Sequence, residues 1–359
     1  MSIEKLKMSG FRNYKEKSLE FSPGVNVIWG ENGSGKTATL EAIHILSVGR
    51  SFRTARLQET IEKNSPHSRL VGVFVSEKKK KEIAVSHTKD KRKKVTINNS
   101  EVTPAEIFGQ NPTVLLSPEE QKITNGSPSD RRKYFDKTFS TVSKEYLIKL
   151  IDYNRVLKQR NSLLKKTPTG KEIETWDEKL VDTATSVWAK REWLHKKFEK
   201  TLNEVCELYG KKEVRVSLNS GLPNQGPQRF FDVLKNNRQK DIVFGYTTAG
   251  PHTDKPAVLY NGKNIKSVGS QGEHKISLVL IKLAEYKLIR EATKRTPTVL
   301  LDDLFATLDF ERSDAVFALL EKNTQTIITN TDLVDIKNHG IVIDGKTNKS
   351  IHLFRQCKN

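Results

Sequence analysis

The chain has 359 residues, of which 62 are lysine or arginine and 43 are aspartate or glutamate, and its formal net charge is +19. A single domain usually has about 100 to 200 residues, so this length predicts either two domains or one core with a large insertion. The positive charge favours a polyanionic partner such as nucleic acid. A lysine-rich surface that only aids solubility would have the same composition.

Secretion and membrane insertion are both disfavoured by the sequence. No segment approaches the roughly 18 apolar residues that a membrane span requires, and the N-terminal residues lack the pattern of a signal peptide. The two cysteines, Cys206 and Cys357, are far apart and outside any CxxC motif, which predicts neither a disulfide framework nor a zinc site. We therefore expect a cytoplasmic protein without membrane contacts.

Short strands are predicted at the start of the chain, at residues 3–8, 17–21 and 25–29, followed by a helix from Lys36 to Val48. Residues 70–97 contain three further strands, VGVFV, EIAVSH and KVTIN, whose pattern is typical of an antiparallel sheet.

Two basic tracts interrupt these strands, at residues 78–81 and 89–94, and place eight lysines and one arginine within 17 residues. Such a patch suits the phosphates of DNA, and the few aromatic residues among the lysines favour duplex over single-stranded DNA. Solvated hairpin tips would show the same pattern, so both interpretations stay open.

From about residue 130 to 208 the sequence is charged and helix-forming, with apolar residues near helical spacing. The segment KKTPTGK at residues 165–171 supplies a turn, so we predict helices that fold back on each other. The tryptophans of this segment, Trp176, Trp188 and Trp193, are interpreted as core residues.

A mixed pattern of strands and helices returns after Gly221. The two ends of the chain are therefore predicted to form one discontinuous α/β domain, residues 1–129 and 245–359. Residues 130–244 would be a helical insertion domain.

The segment GENGSGKT, Gly30 to Thr37, fits the phosphate-loop pattern GxxxxGK[ST] and lies between an apolar strand and a helix. Small residues let backbone N–H groups surround phosphate oxygens, and the helix N-terminus adds partial positive charge. Lys36 is expected to bind the β and γ phosphates, and Thr37 to hold Mg²⁺. The residues of this segment assigned to nucleotide binding are Gly30, Glu31, Asn32, Gly33, Ser34, Gly35, Lys36, Thr37 and Thr39.

A second apolar strand, TVLLDD at Thr298–Asp303, ends in two acids. Asp302 is expected to orient Mg²⁺ and its water shell, and Asp303 to act as the general base toward the attacking water. With Lys36, Asp303 completes the predicted catalytic pair.

The stretch GSQGE at Gly269–Glu273 resembles the signature of ABC-type ATPases, and it precedes TVLLDD by about 30 residues, as in that class. Ser270 and Gly272 occupy its key places, and ATLD at Ala306–Asp309 resembles the loop that touches the opposite subunit. The resemblance implies a dimer with ATP held between Ser270 and Gly272 of one subunit and the phosphate loop of the other.

Within this class the chain resembles the RecF family over nearly its whole length. The motifs that carry the resemblance are GFRNY at 10–14, GRSFR at 49–53, NGSPSDRRKYFD at 125–136, GPH at 250–252 and LLDDLFATLD at 300–309. It implies an ABC-type P-loop ATPase head with an antiparallel β subdomain and an inserted helical arm domain.

The function implied by this resemblance is that of an ATP-dependent DNA-binding protein of replication, recombinational repair and the SOS response. An ATP-dependent homodimer would bind double-stranded and gapped DNA or junctions, help RecO and RecR to load RecA, and hydrolyse ATP slowly with stimulation by DNA. ATP and Mg²⁺ are the implied cofactors.

Several positions depart from the family pattern. Glu273, His274 and Lys275 follow the signature where Gln-Gln-Arg or Gln-Gln-Lys is usual, and Thr253 and Lys255 interrupt the usual PHRDD. These changes could alter the strength of the dimer, and a binding protein in which ATP only holds the dimer stays an alternative. The metal-sensing residue is expected within Ser117–Gln121, and the switch residue among Thr329, Asn330 and Thr331.

Two alternatives share the same motifs. A transporter ATPase subunit would have a switch histidine, a more neutral charge and a glutamate in place of Asp303, none of which this chain has. A chromosome-organising head would need hundreds of coiled-coil residues. Arg12 resembles the arginine that reaches nucleotide phosphates in DNA-repair ABC proteins, although a lone arginine after a strand is equally well a surface charge.

Overall fold

The computed structural model describes residues 2–76, 79–166, 170–210, 213–218, 226–303, 324–333 and 342–354. The strands in these ranges are β1 (Ser2–Phe11), β2 (Tyr14–Glu20), β3 (Val25–Trp29), β4 (His67–Ser76), β5 (Lys79–Thr88), β6 (Lys93–Ile97), β7 (Ser100–Val102), β8 (Thr113–Leu116), β9 (Val214–Ser217), β10 (Ala257–Tyr260), β11 (Lys263–Asn264), β12 (Thr298–Leu301), β13 (Thr326–Asn330) and β14 (Lys349–His352).

The helices in the same ranges are α1 (Lys36–Val48), α2 (Lys122–Asn125), α3 (Pro128–Val142), α4 (Lys144–Leu164), α5 (Gly170–Leu208), α6 (Gly226–Phe244), α7 (Ile265–Val268) and α8 (Gln271–Thr293). None of the helices among the described residues is both long and apolar enough to cross a membrane. The chain divides into two compact units, one of Met1–Gln121 with His274–Asn359 and one of Lys122–Glu273.

In the first unit, six of the described strands form an antiparallel sheet in the order β2-β1-β4-β5-β6-β7. Five others form a parallel sheet in the order β14-β3-β13-β12-β8. The strands predicted at the start of the chain and within residues 70–97 are confirmed, as is their antiparallel arrangement. β3 and β12, which precede the two chemical motifs, both lie in the parallel sheet, so the motifs emerge at the same edge.

The helix α1 is buried between these sheets, and its bounds match the prediction. It contacts β1, β4 and β5 of the antiparallel sheet and β8 and β13 of the parallel one. Every residue from Ala38 to Val48 is buried, including the polar residues Thr39, Glu41, His44 and Ser47. Leu40, Ile43 and Leu46 belong to the core cluster of this unit. The helix that follows the phosphate loop is therefore held in the centre of the core.

The second unit contains α3 to α6 and a three-stranded sheet in the order β11-β10-β9. The predicted helices are confirmed, and α4 packs against α5. Trp188 is buried, and its indole N–H lies 3.1 Å from both carboxylate oxygens of Asp254. The prediction that Trp193 is a core residue is wrong, because its side chain is 47% exposed. The Nζ atoms of Lys190 and Lys197 lie 4.3 and 3.8 Å from its ring centroid. Cation–π contacts of this kind contribute about 0.5 to 1 kcal/mol at exposed sites.

The compact units divide the chain at 121/122 and 273/274, whereas the sequence placed the boundaries at 129/130 and 244/245. Strand pairing explains why the second boundary is at 273/274 and not at 244/245. β10 pairs with β9 of the helical unit, with Ala257 opposite Ser217. Asp254 also accepts a hydrogen bond from Arg191 of α5 at 2.5 Å. Both contacts tie residues 245–273 to the helical unit.

Candidate nucleotide site

Two glycines of the phosphate loop combine a positive φ with a close neighbour that leaves no room for a Cβ. Gly30 has a φ of 144°, and a Cβ there would lie 2.2 Å from the Leu353 carbonyl oxygen. Gly35 has a φ of 103°, and a Cβ would lie 2.1 Å from the Tyr14 hydroxyl. Gly35 is the N-cap residue of α1 and has no side chain that could accept a hydrogen bond. The first N–H groups of the helix therefore lack the acceptor that a capping side chain would supply. Helix ends of this kind bind anions.

Lys36 and Thr37 open the helix α1 beside this loop. The Lys36 ammonium donates to the carbonyl oxygens of Gly30 at 2.6 Å and Glu31 at 3.0 Å. Burial lowers the pKa of Lys36, while the negative charges of Asp303 and Asp302 act in the opposite direction. The Thr37 hydroxyl donates to Asp302 Oδ1 at 3.0 Å. The structure thus brings the predicted phosphate loop and the predicted acids together.

The two acids follow β12, and Thr329 of β13 links them. The Thr329 hydroxyl donates to Asp302 Oδ1 at 2.8 Å and accepts the Asp303 N–H at 2.9 Å. Asp302 is 5% exposed, and burial raises its pKa, an effect that the bonds from Thr329 and Thr37 oppose. Asp303 has a φ of 52°. Thr329, one of the three candidate switch residues, thus bonds through its side chain to the carboxylate of Asp302 and to the backbone of Asp303.

The side-chain oxygens of Thr37 and Asp302 fit the ligands of a magnesium ion. Thr37 Oγ1 and Asp302 Oδ1 are hard oxygen ligands 3.0 Å apart. Mg²⁺ sites that also involve phosphates use one or two protein oxygens and keep several waters. Among the described residues, no group of three or more His, Cys, Asp or Glu side chains could hold a metal ion by itself. The arrangement therefore suits a cation shared with a phosphate ligand.

The segment Ser117–Gln121 contributes two glutamates with different surroundings. Glu120 forms an ion pair with Lys282, which also lies 2.8 Å from Glu285. Burial opposes the charge on Lys282, but the charges of Glu120 and Glu285 raise its pKa overall. The charge of Glu119 instead acts on Asp302 and raises its pKa. The two glutamates therefore act on different partners, Glu120 on Lys282 and Glu119 on Asp302.

Arg12 is anchored by a buried acid that the sequence reasoning missed. Its Nε and Nη2 atoms donate to the two carboxylate oxygens of Glu41 at 2.7 and 2.5 Å, and its Nη1 donates to the Glu59 carbonyl at 3.1 Å. Glu41 has no exposed surface and also accepts from Ser51 at 2.5 Å. Arg53 lies 3.9 Å from the same carboxylate. The signal in the sequence was an acidic residue within a helix that is rich in apolar residues.

Glu41→Gln is expected to lower the free energy of unfolding by about 2 to 4 kcal/mol, because it removes the charge from a buried bidentate pair. The measurement is chemical denaturation at neutral pH. Glu101→Gln is the control: its pair with Lys94 is exposed, so the change should stay below about 1 kcal/mol. Equal losses in the two variants would show that Glu41 has no special structural role.

Ser270 and Gly272 lie in the second unit, where α8 begins. The Ser270 hydroxyl accepts the Glu273 N–H at 3.3 Å, and the Glu273 carboxylate accepts the Ser270 N–H at 2.7 Å. This reciprocal capping box fixes the start of the helix and gives the unusual Glu273 a structural role. The segment Ala306–Asp309, which resembles a subunit-contact loop, lies outside the described residues, as do Lys78 of the basic tract and Cys357.

Several lysines of the basic tracts have partners within the protein. Lys80 pairs with Glu4 at 2.8 Å, and Lys81 donates to Gln110 at 2.7 Å. Lys93 donates to the Gly49 carbonyl at 2.7 Å, at the C-terminal end of α1, and burial with the nearby Arg50 lowers its pKa to about 8. A cation at a helix C-terminus is stabilising. Lys89 and Lys91 remain exposed at the turn between β5 and β6.

Comparison with known proteins gives consistent results. Residues 2–342 match the family model described as the RecF/RecN/SMC N terminal domain. A DNA replication and repair protein RecF from Thermoanaerobacter sp. (strain X514) is 32% identical over 361 residues, which cover 96% of this chain and 99% of that protein. The RecF of Clostridium botulinum (strain Eklund 17B / Type B) is 34% identical over 366 residues, covering 99% and 98%.

Solved structures agree with these matches. The recombination mediator protein RecF-ATP of the RecFOR pathway superposes with a TM-score of 0.86 at 31% identity, covering 93% of this chain and 92% of that one. The Smc head bound to the C-winged helix domain of ScpA superposes with a TM-score of 0.50 at 20% identity, covering 94% of this chain and 91% of that one. This likeness supports the ABC-type head fold alone. The chain belongs to the RecF family of DNA replication and repair proteins.

Proposed function

We propose that this chain is a cytoplasmic, ATP-dependent DNA-binding protein of recombinational repair. The observation that carries the proposal is the contact between Thr37 of the phosphate loop and Asp302 at the end of β12, with Thr329 joining Asp302 to Asp303. Membership of the RecF family and the likeness to a RecF-ATP structure support ATP as the nucleotide. The net charge of +19 supports a polyanionic partner.

Each residue of the site has a proposed role. Backbone N–H groups of Gly30–Thr37, with the N-terminus of α1, would bind the phosphates of ATP, and Lys36 would contact the β and γ phosphates. Thr37 and Asp302 would hold Mg²⁺, which neutralises phosphate charge when bound. Asp303 would accept the proton of the attacking water, and Thr329 would fix its backbone. Slow hydrolysis stimulated by DNA is the proposed activity.

Binding between subunits would complete the site. Ser270 and Gly272 at the start of α8 are proposed to contact the γ-phosphate bound by a second copy of the chain, since a helix N-terminus with a small polar residue suits a phosphate. The resulting dimer would bind duplex DNA at gaps or junctions, where RecR and RecO are the proposed partners and the loading of RecA is the proposed outcome.

DNA binding by the full chain tests this function. A labelled gapped duplex and an intact duplex of the same length are titrated with ATP and Mg²⁺, with ADP and Mg²⁺, and without nucleotide. We expect ATP to strengthen binding at least tenfold, and the gapped DNA to bind more tightly than the intact one. Affinities that are independent of nucleotide would contradict the proposal.

A further inference from the structure

Two aromatic side chains, Phe244 and Tyr246, lie together at the surface where α6 ends in the second unit. Their ring centroids are 5.6 Å apart and their planes are 17° from parallel, so the rings are stacked. Phe244 is 50% exposed, Tyr246 52%, and the adjacent Val243 73%. Large apolar side chains exposed in a group mark interaction surfaces, whereas single ones are ordinary. We call Phe244 and Tyr246 the aromatic platform.

A buried polar network holds the backbone on both sides of the platform. Arg160, which has no exposed surface, donates through Nη1 to Asp241 Oδ2 at 2.7 Å and to Thr247 Oγ1 at 2.8 Å. Asp241 precedes the platform and Thr247 follows it, and Asp241 Oδ1 accepts the Thr248 N–H at 2.9 Å. Buried ion pairs are costly to desolvate and add little stability by themselves. The bonds join the residues before and after the platform through one buried side chain, and a surface constrained in this way loses less entropy when it binds.

The surroundings of the aromatic platform are cationic. The Nζ atom of Lys240 lies 5.9 Å from the Phe244 ring centroid. Lys165 packs beside Gly245, with its Cγ atom 3.4 Å from the position of a Cβ on that glycine. Both lysines are exposed, whereas Asp241, the acid in the last turn of α6, is buried in the network below. The platform therefore suits a partner that is flat, apolar and negatively charged at its edges.

Single-stranded DNA has this combination, because its bases are free to stack on aromatic rings while its phosphates contact lysines. Duplex DNA keeps the faces of its bases stacked inside, and protein interfaces are depleted in lysine. We propose that the aromatic platform binds single-stranded DNA, with a base stacked on the exposed rings and the adjoining phosphates beside Lys165 and Lys240. This inference rests on the DNA-binding function proposed above and assigns the single-stranded part of a gap to a defined surface.

The test measures the affinity of the full chain for a labelled oligothymidine and for a blunt duplex of equal length, by fluorescence anisotropy with ATP and Mg²⁺. Phe244→Ala and Tyr246→Ala are each expected to weaken oligothymidine binding by about tenfold or more, because each removes a stacking surface. Duplex affinity should stay within twofold of the wild type. Val243→Ala, which shortens an exposed side chain without a ring, and Tyr246→Phe, which keeps the ring, are the matched controls and should bind like the wild type.

Three results would overturn the inference while the proposed function stands. They are unchanged oligothymidine affinity in the alanine variants, an equal loss of affinity for both DNAs, and a wild type that binds the duplex but not the oligothymidine. A wild type that binds neither DNA would instead contradict the proposed function, and the inference with it.

Discussion

Asp303→Asn is expected to lower the rate of ATP hydrolysis by about 10² to 10⁴-fold, the usual contribution of a positioned general base. The asparagine keeps the shape of the side chain and the backbone bond to Thr329, but cannot accept a proton from water. ATP affinity should remain close to that of the wild type, so the variant should accumulate in the ATP-bound state.

The measurement is phosphate release under single-turnover conditions, with ATP affinity determined separately by equilibrium titration. Asp182→Asn, an exposed substitution on α5, is the control and should hydrolyse ATP at the wild-type rate. If Asp303→Asn also hydrolyses ATP at the wild-type rate, the base has been assigned to the wrong residue.

Lys36→Ala is expected to weaken ATP binding by about 10 to 100-fold, the effect of removing a charged hydrogen-bond donor from a phosphate. Its ammonium donates to Gly30 and Glu31 of the phosphate loop, so it is already directed into the loop that would surround the phosphates. ATP-dependent DNA binding should be lost with it.

Nucleotide affinity is measured by titration with a fluorescent ATP analogue, and DNA binding with the gapped duplex. Lys7→Ala removes an exposed lysine of β1 and serves as the control for the change in net charge. Unchanged ATP affinity in Lys36→Ala would place the nucleotide elsewhere in the protein.

The sequence predicted best those helices and strands whose hydrophobic pattern matches the residues that are buried in the structure. The helix α1 has the predicted bounds because it is rich in apolar residues and begins directly after a glycine-rich loop. The predicted contact between the phosphate loop and the TVLLDD strand follows from the parallel sheet that holds both β3 and β12. In such a sheet the ends of non-consecutive strands meet at one edge, so motifs far apart in sequence converge.

Other features depend on tertiary contacts that a pattern does not contain. The helical unit ends at Glu273, later than residue 244, because β10 pairs with β9, a contact between two short strands that lie on either side of α6 in the sequence. The bond from Arg12 to Glu41 could not be read from a lone arginine after a strand. Thr329 was one of three candidates until the sheet placed its hydroxyl between Asp302 and Asp303. Trp193 lies at the surface, where Lys190 and Lys197 contact its ring.

ATP is proposed to join two copies of this chain through Ser270 and Gly272. Light scattering of the wild type and of Ser270→Arg, with and without ATP and Mg²⁺, tests it most directly. We predict that ATP converts the wild type from monomer to dimer, and that Ser270→Arg binds ATP but remains a monomer. A wild type that binds ATP and stays monomeric, or a Ser270→Arg variant that dimerises normally, would contradict the account.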